Sequence, residues 1–547
     1  MSNQSLLSIR ELSVALPSGG DRVFAVQEVS LEVPAGQTVC VVGESGSGKS
    51  VMANAVMRLL PRALRVTGGQ ISLAGEDLLA LDAEPLRRLR GSRMGMIFQE
   101  PMTALNPVVT VGDQIDEVLL VHGERDAKVR ERRVLELMRE MSLPEPEILR
   151  HRYPFQLSGG QRQRVVIAIA MALEPQLLIA DEPTTALDVT TQAQILALIK
   201  RLQTTHGIGV LFITHDFGVV ADIADRVVVM QQGRVVENGT AGEVLRHPEH
   251  AYTRRLIAAV PRLRDAADEV TAALAPLLQI DRVSKSYRAR GLGLFGGRGR
   301  TQALDHVSLH VGAGETVGLI GESGSGKTTL GQCVMRLLDV DGGRIVFNGQ
   351  PVEALRGGAL KALRPQIQMI FQDPFASLNP RHRVGRIVTE NAILCGVAPT
   401  EAQNRMREVL AMVGLDSSAV NRFPHEFSGG QRQRIGIARA LVMQPRLIVA
   451  DEAVSALDVS VQQQVLALLR EVRERLGLAM LFITHDLRVA SQICDRIAVM
   501  HKGRIVETGT VNAIARAPAH AYTRSLFAAM PGQAWERDTE RFEPILA

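Results

Sequence analysis

The sequence of 547 residues contains little cysteine. Its four cysteines, Cys40, Cys333, Cys395 and Cys494, lie far apart and form no Cys-x-x-Cys pair. This spacing excludes a disulfide framework and a cysteine-based metal site. We therefore expect reduced thiols in a cytosolic protein, where cysteine commonly packs as a small buried apolar residue.

Long apolar runs and an excess of charge are also lacking. No segment reaches the roughly 20 consecutive apolar residues that a membrane-spanning helix needs. The N-terminus has no basic region followed by an apolar stretch, so we expect no secretion signal. Any role at a membrane is therefore expected to act through a partner. Lysine and arginine number 62 against 58 aspartates and glutamates, a net charge of only +4, which argues against a nucleic-acid-binding protein.

The chain contains an internal repeat. Three motifs occur twice in the same order: Gly43–Ser50 and Gly321–Thr328, Leu157–Arg164 and Phe427–Arg434, and Leu211–Asp216 and Leu481–Asp486. At roughly 100–200 residues per domain, the length also predicts two large domains. We place one domain at 6–261 and the second at 278–531, with a polar, alanine-rich linker at 262–277 and a charged, loosely held tail at 532–547.

Each half alternates short apolar runs with helical patterns. Thr38–Val42, Leu177–Ala180 and Val210–Ile213 are typical of buried strands. Apolar residues recur at helical spacing from Met52 to Leu60. Alternating strands and helices predict an α/β fold with a largely parallel sheet.

Two further stretches, 100–156 and 373–426, carry helical patterns and few strand signals, as in Val129–Met138. We expect each to form a small helical subdomain inserted into the α/β core.

The pattern Gly-x-x-x-x-Gly-Lys-Ser/Thr occurs in both halves, after an apolar strand and before an amphipathic helix. Its glycines allow backbone N–H groups to cradle phosphates, and the following helix points its positive end at them. The lysine would reach the β- and γ-phosphates, and the hydroxyl would bind Mg²⁺. A chance glycine-rich turn would explain one copy, but two copies in this context favour phosphate binding. The residues are Gly43, Glu44, Ser45, Gly46, Ser47, Gly48, Lys49 and Ser50, and then Gly321, Glu322, Ser323, Gly324, Ser325, Gly326, Lys327 and Thr328.

Each half also carries an Asp-Glu pair directly after an apolar strand: Asp181 with Glu182, and Asp451 with Glu452. The carboxyl ends of strands are where the ligand crevices of α/β folds lie. We expect the aspartates to hold Mg²⁺ and the glutamates to act as general bases on the attacking water. A helix cap with surface acids is the alternative, but charged residues directly after four apolar ones need a partner.

A Ser-Gly-Gly-Gln motif precedes a helix that we expect to begin near Arg162 in the first half and Arg432 in the second. A serine hydroxyl, flexible backbone N–H groups and a helix N-terminus together form a second anion site. This anion site lies far along the chain from the Gly-x-x-x-x-Gly-Lys-Ser/Thr loop (the P-loop). Two separate anion sites indicate that the phosphates are held from two sides. The motif comprises Ser158, Gly159, Gly160 and Gln161, and then Ser428, Gly429, Gly430 and Gln431.

With these motifs in this order, each half resembles an ATP-binding cassette (ABC) ATPase over nearly its whole length. Ser-Gly-Gly-Gln is the signature of that family, and it separates the family from other P-loop ATPases. The resemblance implies ATP and Mg²⁺ as cofactors and a fold of two P-loop domains, each a RecA-like α/β core with an inserted helical subdomain. It also implies an intramolecular head-to-tail pair of cassettes, in which Lys49 would share a site with Ser428, and Lys327 with Ser158.

Other site residues follow from the resemblance alone. Gln99 and Gln372 match the glutamine that senses Mg²⁺, and His215 and His485 match the histidine that contacts the γ-phosphate. Taken alone, each of these would be read as a buried core residue; the surrounding motifs favour the functional reading.

The family also has an aromatic residue that stacks on adenine, upstream of the P-loop. Tyr287 fits this place in the second half. In the first half the matching position is Leu16, and Phe24 is the nearest aromatic residue.

Three features are similar to peptide importers within the family. Phe98–Pro107 and Phe371–Pro380 resemble the region that meets the permease. His247–Arg254 and Ala517–Arg524 resemble the C-terminal element of dipeptide, oligopeptide and nickel importer ATPases. The fused arrangement most resembles glutathione-importer and related peptide-importer ATPases of bacteria. The cysteine-rich C-terminal cluster of some relatives is absent from this sequence.

The resemblance implies an ATP-hydrolysing subunit that powers import of dipeptides, oligopeptides or glutathione through two permease subunits. A periplasmic or lipid-anchored binding protein would deliver the substrate, and the chain would lie peripherally on the cytoplasmic face of the bacterial inner membrane. A nickel importer ATPase is one alternative. A soluble ABC ATPase acting on ribosomes or DNA is the other, although such proteins lack a permease-docking region. The basic, glycine-rich stretch 288–300 is either a solvated loop or a contact to lipid or permease.

Overall fold

The computed structural model describes residues 5–17, 19, 22–185, 187–263, 275–288, 300–455 and 457–535. These residues form two compact units, one drawn from Met1–Leu187, Thr191–Val260 and Met530–Ala547, the other from Asp188–Thr190 and Pro261–Ala529. Most of the predicted linker, the interior of the basic stretch 288–300 and residues 536–547 of the predicted tail lie outside the described residues. The proposed domain limits stay a prediction.

The described part of the first half begins with strands and then alternates them with helices. Its strands are β1 (Ser5–Ala15), β2 (Phe24–Pro34), β3 (Thr38–Val42), β4 (Arg65–Leu73), β5 (Glu76–Asp77), β6 (Met94–Ile97), β7 (Leu177–Asp181), β8 (Gly209–Thr214), β9 (Arg226–Gln231) and β10 (Arg234–Thr240). Its helices are α1 (Lys49–Val56), α2 (Ala83–Ser92), α3 (Pro101–Ala104), α4 (Val111–Val121), α5 (Ala127–Glu140), α6 (Pro146–Leu149), α7 (Gly159–Ala170), α8 (Val189–His206), α9 (Phe217–Ile223), α10 (Ala241–Arg246) and α11 (Ala251–Ala259), with a 3₁₀ turn at Pro154–Gln156.

The described part of the second half repeats this order. Its strands are β11 (Pro276–Arg288), β12 (Arg300–Gly312), β13 (Thr316–Ile320), β14 (Gly342–Phe347), β15 (Gln350–Pro351), β16 (Ile367–Ile370), β17 (Leu447–Asp451), β18 (Ala479–Thr484), β19 (Arg496–His501) and β20 (Arg504–Thr510). Its helices are α12 (Lys327–Val334), α13 (Gly357–Leu363), α14 (Pro374–Ser377), α15 (Val384–Leu394), α16 (Pro399–Met412), α17 (Gly429–Leu441), α18 (Val459–Leu476), α19 (Leu487–Ile493), α20 (Val511–Arg516) and α21 (Ala521–Ala528), with 3₁₀ turns at Val352–Ala354, Ser417–Asn421 and Pro424–Glu426.

Each half contains one sheet of six strands and one of four. The six-stranded sheets have the orders β10-β9-β3-β8-β7-β6 and β16-β17-β18-β13-β19-β20. They are parallel except for the antiparallel edge strands β10 and β20. The central strands β3, β7 and β8 are buried at every residue, as parallel strands covered by helices on both faces must be. The predicted α/β fold with a largely parallel sheet is confirmed.

The antiparallel sheets, β2-β1-β4-β5 and β12-β11-β14-β15, cover the P-loop helices. In the first half, Leu7 and Ile71 of this sheet share one apolar cluster with Met52 of α1 and with Val41 and Ile213 of the parallel sheet. A corresponding cluster joins the two sheets and α12 in the second half. Burial of this shared core fixes the P-loop helix against both sheets.

The predicted helix after the first P-loop is shorter than its apolar pattern. Helix α1 ends at Val56, and Leu59 and Leu60 lie beyond it in a turn and loop. Arg58, in the left-handed region at φ 49°, breaks the helical path just before them. Leu60 still packs against the same core, whereas Leu59 is exposed.

The segment between β6 and β7 contains helices without strands, and so does the segment between β16 and β17. The pattern at Val129–Met138 lies in α5, which buries Val134, Leu137 and Met138 on one face. None of the helices in the described ranges is both long and apolar enough to cross a membrane.

The first residues of the predicted tail are packed. The N–H of Gly532 donates to Asp222 Oδ2 at 3.0 Å, and the Trp535 side chain is buried. These contacts place residues 532–535 in the first unit together with α9.

Candidate nucleotide-binding sites

The two P-loops form the predicted turn between a buried strand and a helix N-terminus. Gly48 and Gly326 cap α1 and α12 with left-handed backbones, at φ 102° and 109°. A Cβ on Gly48 would lie 2.5 Å from the carbonyl oxygen of Ala25, and one on Gly326 would lie 2.4 Å from that of Ala303. Both the backbone angle and the close approach therefore require glycine at these positions.

The P-loop lysines are buried inside their own loops. Lys49 Nζ donates to the carbonyl oxygens of Gly43 at 2.7 Å and Glu44 at 2.9 Å. Lys327 Nζ does the same with Gly321 and Glu322, both at 2.7 Å. These carbonyl oxygens hold each lysine amino group close to the helix N-terminus, where phosphate groups bind, and burial lowers the pKa of Lys327.

The hydroxyl and the aspartate predicted to hold Mg²⁺ lie together in each half. Ser50 Oγ donates to Asp181 Oδ1 at 3.0 Å, and Thr328 Oγ1 donates to Asp451 Oδ1 at 3.2 Å. Burial raises the pKa of both aspartates to about 6. The raised pKa shows that nearby positive charge does not fully offset the burial of each aspartate. A buried hydroxyl and carboxylate in this state suit a hard divalent cation such as Mg²⁺.

Glu182 and Glu452 occupy the same backbone conformation in the two halves. Both are non-glycine residues in the left-handed region, at φ 46° and 47°. Such angles are uncommon for residues with a Cβ, and they persist only where the surroundings impose them. Here the backbone N–H groups of Glu182 and Glu452 donate to the carbonyl oxygens of Ile213 and Ile483, each at 2.9 Å.

The glutamates contact the glutamine and histidine predicted from the family resemblance. Gln99 Nε2 donates to Glu182 Oε2 at 3.0 Å, and His215 Nδ1 lies 3.3 Å from Glu182 Oε1. Thr185 Oγ1 also donates to Glu182 Oε2 at 3.0 Å. These contacts fix the carboxylate from three sides.

The second half repeats the glutamine and histidine contacts. Gln372 Nε2 donates to Glu452 Oε2 at 2.8 Å, and His485 Nδ1 lies 3.4 Å from Glu452 Oε1. The structure therefore brings together the predicted lysine, hydroxyl, aspartate, glutamate, glutamine and histidine in each half.

Charge partners keep the glutamates ionised. Burial by itself would raise the pKa of Glu182, but the hydrogen bond and charge of His215, with Lys49, lower it to about 2. The pKa of Glu452 is lowered against the effect of burial in the same way by His485 and Lys327. Burial would lower the pKa of His485, but Glu452 reverses the effect and raises it. The lowered pKa keeps each carboxylate ionised and able to accept a proton, but it also makes the carboxylate a weaker base than a free glutamate.

The signature helices begin earlier than the sequence predicted. Helices α7 and α17 start at Gly159 and Gly429, three residues before Arg162 and Arg432. Ser158 Oγ accepts the N–H of Gln161 at 3.3 Å, while Gln161 Oε1 accepts the N–H of Ser158 at 3.0 Å. This reciprocal capping box makes the serine the N-cap, so the two glycines belong to the first helical turn.

The second glycine of each signature permits close packing. A Cβ on Gly160 would lie 2.6 Å from Thr191 Cγ2, and one on Gly430 would lie 2.3 Å from Val461 Cγ1. The glycine lets the signature helix touch the helix that follows the Asp-Glu pair. The predicted gathering of signature and P-loop residues around one nucleotide stays a prediction.

The predicted adenine platform is half-exposed beside the second P-loop. Tyr287 lies at the end of β11, and its hydroxyl is 3.4 Å from Thr329 Oγ1, next to Thr328. In the first half, Leu16 follows β1 and Phe24 begins β2, and both are partly buried.

Several contacts at the first P-loop were not predicted from the sequence. A cavity of about 470 Å³ opens on the loop and is lined by Arg22, Glu44, Ser45, Gly46, Ser47, Gln231, Gln232 and Tyr252. Arg22 Nη2 donates to the carbonyl oxygen of Gly46. The recurrence of His-Ala-Tyr-Thr-Arg in both halves was the available signal for Tyr252, but nothing in the sequence indicated Arg22.

Comparisons with known proteins agree with this geometry. The chain matches the ABC transporter family over residues 26–185 and 304–455. It also matches the family described as oligopeptide/dipeptide transporter, C-terminal region, over 236–290 and 506–544. The glutathione import ATP-binding protein GsiA of Escherichia coli strain K12 is 46% identical over 96% of this chain and 90% of its own length. The protein of the same name from Salmonella typhimurium is 45% identical over 97% of this chain and 90% of its own length.

The predicted ABC-family ATPase is thus confirmed, and with it ATP as the nucleotide. Membership also implies permease components as partners and a peripheral position at a membrane. Since the ABC match covers more than half of the chain and the relatives are matched over most of their length, this chain belongs to the ABC transporter ATPases, in the group that carries the oligopeptide/dipeptide transporter C-terminal region.

Proposed function

We propose that the chain is the ATP-hydrolysing subunit of a bacterial importer for peptides, either dipeptides and oligopeptides or glutathione. One observation carries the proposal: the same lysine, aspartate, glutamate, glutamine and histidine contacts occur twice in a chain that matches the oligopeptide/dipeptide transporter C-terminal region twice. The relatives named for glutathione import support glutathione as the substrate to test first.

The proposed chemistry begins with phosphate binding. Lys49 and Lys327 neutralise the β- and γ-phosphates, aided by the N-termini of α1 and α12. Ser50 with Asp181, and Thr328 with Asp451, would hold Mg²⁺. The ion, when bound, would neutralise charge on the phosphate oxygens.

Hydrolysis requires a base beside the attacking water. Glu182 and Glu452 accept its proton, because a glutamine and a histidine hold the ionised carboxylate in place in each half. The position of the carboxylate supports this role, since its lowered pKa makes it a weaker base. His215 and His485 orient the glutamate and contact the γ-phosphate. Gln99 and Gln372 would contact Mg²⁺, and because the helical segment begins just after them, they connect the ion to that segment. Ser158 and Ser428, with the following Gly-Gly-Gln residues, supply the second anion contact through their capped helix N-termini.

ATPase activity of the purified chain tests this assignment. Glu182→Gln and Glu452→Gln keep the size and the hydrogen-bond acceptor of the side chain but remove the base. We expect each single variant to lose most of the turnover and the double variant to lose all of it, with ATP binding retained. Full activity in Glu452→Gln would show that the second half does not hydrolyse ATP, which would contradict the assignment of two working sites.

We further propose that two permease subunits dock beside the residues that follow β6 and β16. Phe98 and Phe371 begin these segments and are 43% and 42% exposed, which is unusual for phenylalanine. In the second half a cavity of about 600 Å³ between β16 and the helical segment is lined in part by Phe371, Leu394 and Arg439. Phe98→Ala and Phe371→Ala are expected to reduce ATPase stimulation by the permease while leaving basal ATPase activity intact. Loss of basal activity instead would assign these residues to the nucleotide site.

Uptake measurements test the proposed substrate and the proposed position at the membrane. With its permeases and a periplasmic or lipid-anchored binding protein, the chain is expected to support uptake of labelled glutathione or dipeptides at the bacterial inner membrane, and Glu182→Gln/Glu452→Gln is the matched control. Uptake of nickel without uptake of peptides would contradict the peptide assignment and favour the nickel alternative. Full function without any permease would favour a soluble ATPase.

A further inference from the structure

The C-terminal element of each half builds a rigid turn around its repeated His-Ala-Tyr-Thr-Arg sequence. The side chain of His250 caps α11 by accepting the N–H of Tyr252 at 3.2 Å. Glu237 of β10 accepts the N–H groups of Glu249 at 2.7 Å and His250 at 3.2 Å. Arg254 Nη1 donates to the carbonyl oxygens of Pro248 at 3.1 Å and Glu249 at 2.6 Å. Three side chains, those of Glu237, His250 and Arg254, thus fix the start of α11.

The second half builds the same turn. His520 accepts the N–H of Tyr522 at 3.1 Å, and Glu507 accepts the N–H groups of Ala519 at 2.7 Å and His520 at 3.1 Å. Arg524 Nη1 donates to the carbonyl oxygens at Pro518 and Ala519, at 3.1 and 2.6 Å. The same contacts in both halves indicate that the repeated residues are needed for this geometry.

The turn directs its tyrosine into the P-loop. The N–H of Glu44, the second residue of the first P-loop, donates to the Tyr252 hydroxyl at 3.1 Å. That hydroxyl lies 3.3 Å from Glu44 Oε2, to which it donates. In the second half the N–H of Glu322 donates to the Tyr522 hydroxyl at 3.0 Å. Both tyrosine rings are buried, and burial raises the pKa of Tyr522 to about 12, so its hydroxyl stays protonated.

The P-loop residue that binds the tyrosine also binds the lysine. Glu44 donates its N–H to Tyr252, while its carbonyl oxygen accepts Lys49 Nζ at 2.9 Å. Glu322 likewise lies between Tyr522 and Lys327, whose Nζ is 2.7 Å from the Glu322 carbonyl oxygen. One residue therefore connects the C-terminal element to the ammonium that faces the phosphates.

We propose that Tyr252 and Tyr522 are positioning residues that fix the entry of each P-loop, and so connect nucleotide affinity to the C-terminal region. The inference rests on the proposed function, because it assumes that ATP binds at these loops. With its hydroxyl, the tyrosine satisfies a partly buried N–H and holds the glutamate peptide in the orientation that presents its carbonyl to the lysine. Without the hydroxyl, the N–H loses its partner and the loop adopts other conformations before nucleotide binds.

The double variant Tyr252→Phe/Tyr522→Phe tests this, since it removes the hydroxyls and keeps the rings. The loss of one net hydrogen bond per loop predicts a rise of about 3- to 10-fold in KM for ATP and in the dissociation constant of a fluorescent ATP analogue. The kcat is expected to change less than about twofold, because the tyrosine acts on binding and not on proton transfer. Tyr153→Phe, which removes the hydroxyl of a tyrosine in the helical segment, is the matched control and should leave both values unchanged.

If the C-terminal element affects nucleotide binding, nucleotide binding must in turn affect the C-terminal element. This reciprocal effect gives a second measurement, which a purely structural tyrosine would not change. If the contact transmits nucleotide binding, ATP should slow amide hydrogen exchange in 248–259 and 518–528 of the wild type, and this slowing should be lost in the double variant. Unchanged nucleotide affinity together with unchanged ATP-induced protection would overturn the inference. A wild type that binds ATP without hydrolysing it would overturn the proposed function instead, and the affinity and exchange measurements would still decide the role of the tyrosines.

Discussion

The hydrogen bonds around Glu182 and Glu452 have nearly the same lengths in the two halves of the chain. The glutamine–glutamate distance is 3.0 Å in the first half and 2.8 Å in the second. The histidine–glutamate distances are 3.3 and 3.4 Å, and the hydroxyl–aspartate distances are 3.0 and 3.2 Å. The groups that would act on the phosphates are therefore duplicated without loss.

The halves differ at the four-stranded sheets beside the P-loops. Arg22 and Arg300 each stand three residues before the alanine whose carbonyl faces the P-loop glycine. Arg22 donates to the P-loop carbonyl of Gly46. Arg300 instead donates from Nε to Ser286 Oγ at 2.6 Å, and its Nη2 lies 3.5 Å from Asp341 Oδ2.

The residues that contact Arg300 differ from those of the first half at two positions: Ser286, where the first half has Ala15, and Asp341. Asp341 precedes the glycine pair of β14, where the first half has Thr67 before the glycine pair of β4. The carboxylate binds the Ser286 N–H, the Ser286 hydroxyl and Lys285 Nζ at 2.9, 2.7 and 3.0 Å. It thereby attracts Arg300 to the end of β11, next to Tyr287. The first half has a cation over the P-loop, and the second has an aromatic platform beside it. Two sites with equal chemistry thus differ in how they would hold the rest of the nucleotide.

The largest expected effect tests the similarity of the two halves. Lys49→Ala and Lys327→Ala each remove the buried ammonium from one P-loop. By analogy with the loss of a single preorganised charge-stabilising donor, we expect ATPase kcat/KM to fall about 100-fold or more in either variant. Steady-state ATPase assays measure this. A fall confined to one variant would show that only one half is catalytic. Lys200→Ala removes a half-exposed lysine of α8 that pairs with Asp225 at 3.6 Å, and it should leave the activity unchanged.

Substitution of the second signature glycine should destabilise both halves, but to different extents. Gly160→Ala and Gly430→Ala add a Cβ that would lie 2.6 Å and 2.3 Å from stiff, β-branched side chains. We expect each to lower the free energy of unfolding by about 1–3 kcal/mol, and Gly430→Ala to have the larger effect. Thermal or urea unfolding measures the loss.

The partner residues provide a control for that prediction. Thr191→Ser and Val461→Ala remove the methyl groups that the new Cβ would meet, so each should rescue the corresponding glycine variant. A destabilisation that persists in the double variants would contradict the steric explanation.

Loss of the predicted adenine-stacking residue should affect ATP binding in the second half and not in the first. Tyr287→Ala is expected to weaken ATP binding at the second site about 10-fold, within the roughly 1–3 kcal/mol typical of a base stacked on an aromatic ring. Leu16→Ala, the matched change in the first half, should have little effect because no ring is lost. Binding of a fluorescent ATP analogue measures both. Equal effects of the two changes would show that Tyr287 is not a base platform.

The smallest expected effect concerns Asp341. Its hydrogen bonds with Ser286, opposed by burial and helped by Lys285, lower the pKa of this carboxyl. A folded-state pKa below the unfolded value adds stability above the unfolded pKa of about 3.9, and this stability is lost as the pH falls through the folded-state pKa. Because the pair is partly exposed and screened, we expect Asp341→Asn to cost only about 0.5–1 kcal/mol at pH 7.

Unfolding measured from pH 7 to below the lowered pKa of Asp341 tests whether this stability is lost at low pH. The difference between wild type and Asp341→Asn should shrink as the pH falls, and Thr67→Ala should show no such dependence. A difference that grows towards low pH would contradict the assigned cause.

Much of the fold and of the site could be predicted from short stretches of the chain. Thr38–Val42 and Leu177–Asp181 form buried strands because each is a continuous apolar run that ends at a turn. The start of the signature helix was placed three residues too late, because the predicted start ignored the capping box that Ser158 forms with Gln161. The serine and the glutamine of that box are three residues apart, so the sequence alone can indicate the helix start.

Sequence by itself determined the motifs, their order and their duplication, because each motif acts through residues that are neighbours along the chain. The tertiary structure decided which distant groups meet. The Tyr252 hydroxyl reaches the N–H of a residue 208 positions away. Arg22 donates to the P-loop carbonyl oxygen of Gly46, whereas Arg300 donates to Ser286 on β11. Glu182 and Glu452 take left-handed backbones that only their surroundings impose. Such contacts depend on how separate strands and helices pack, and no local pattern of residue types encodes that packing.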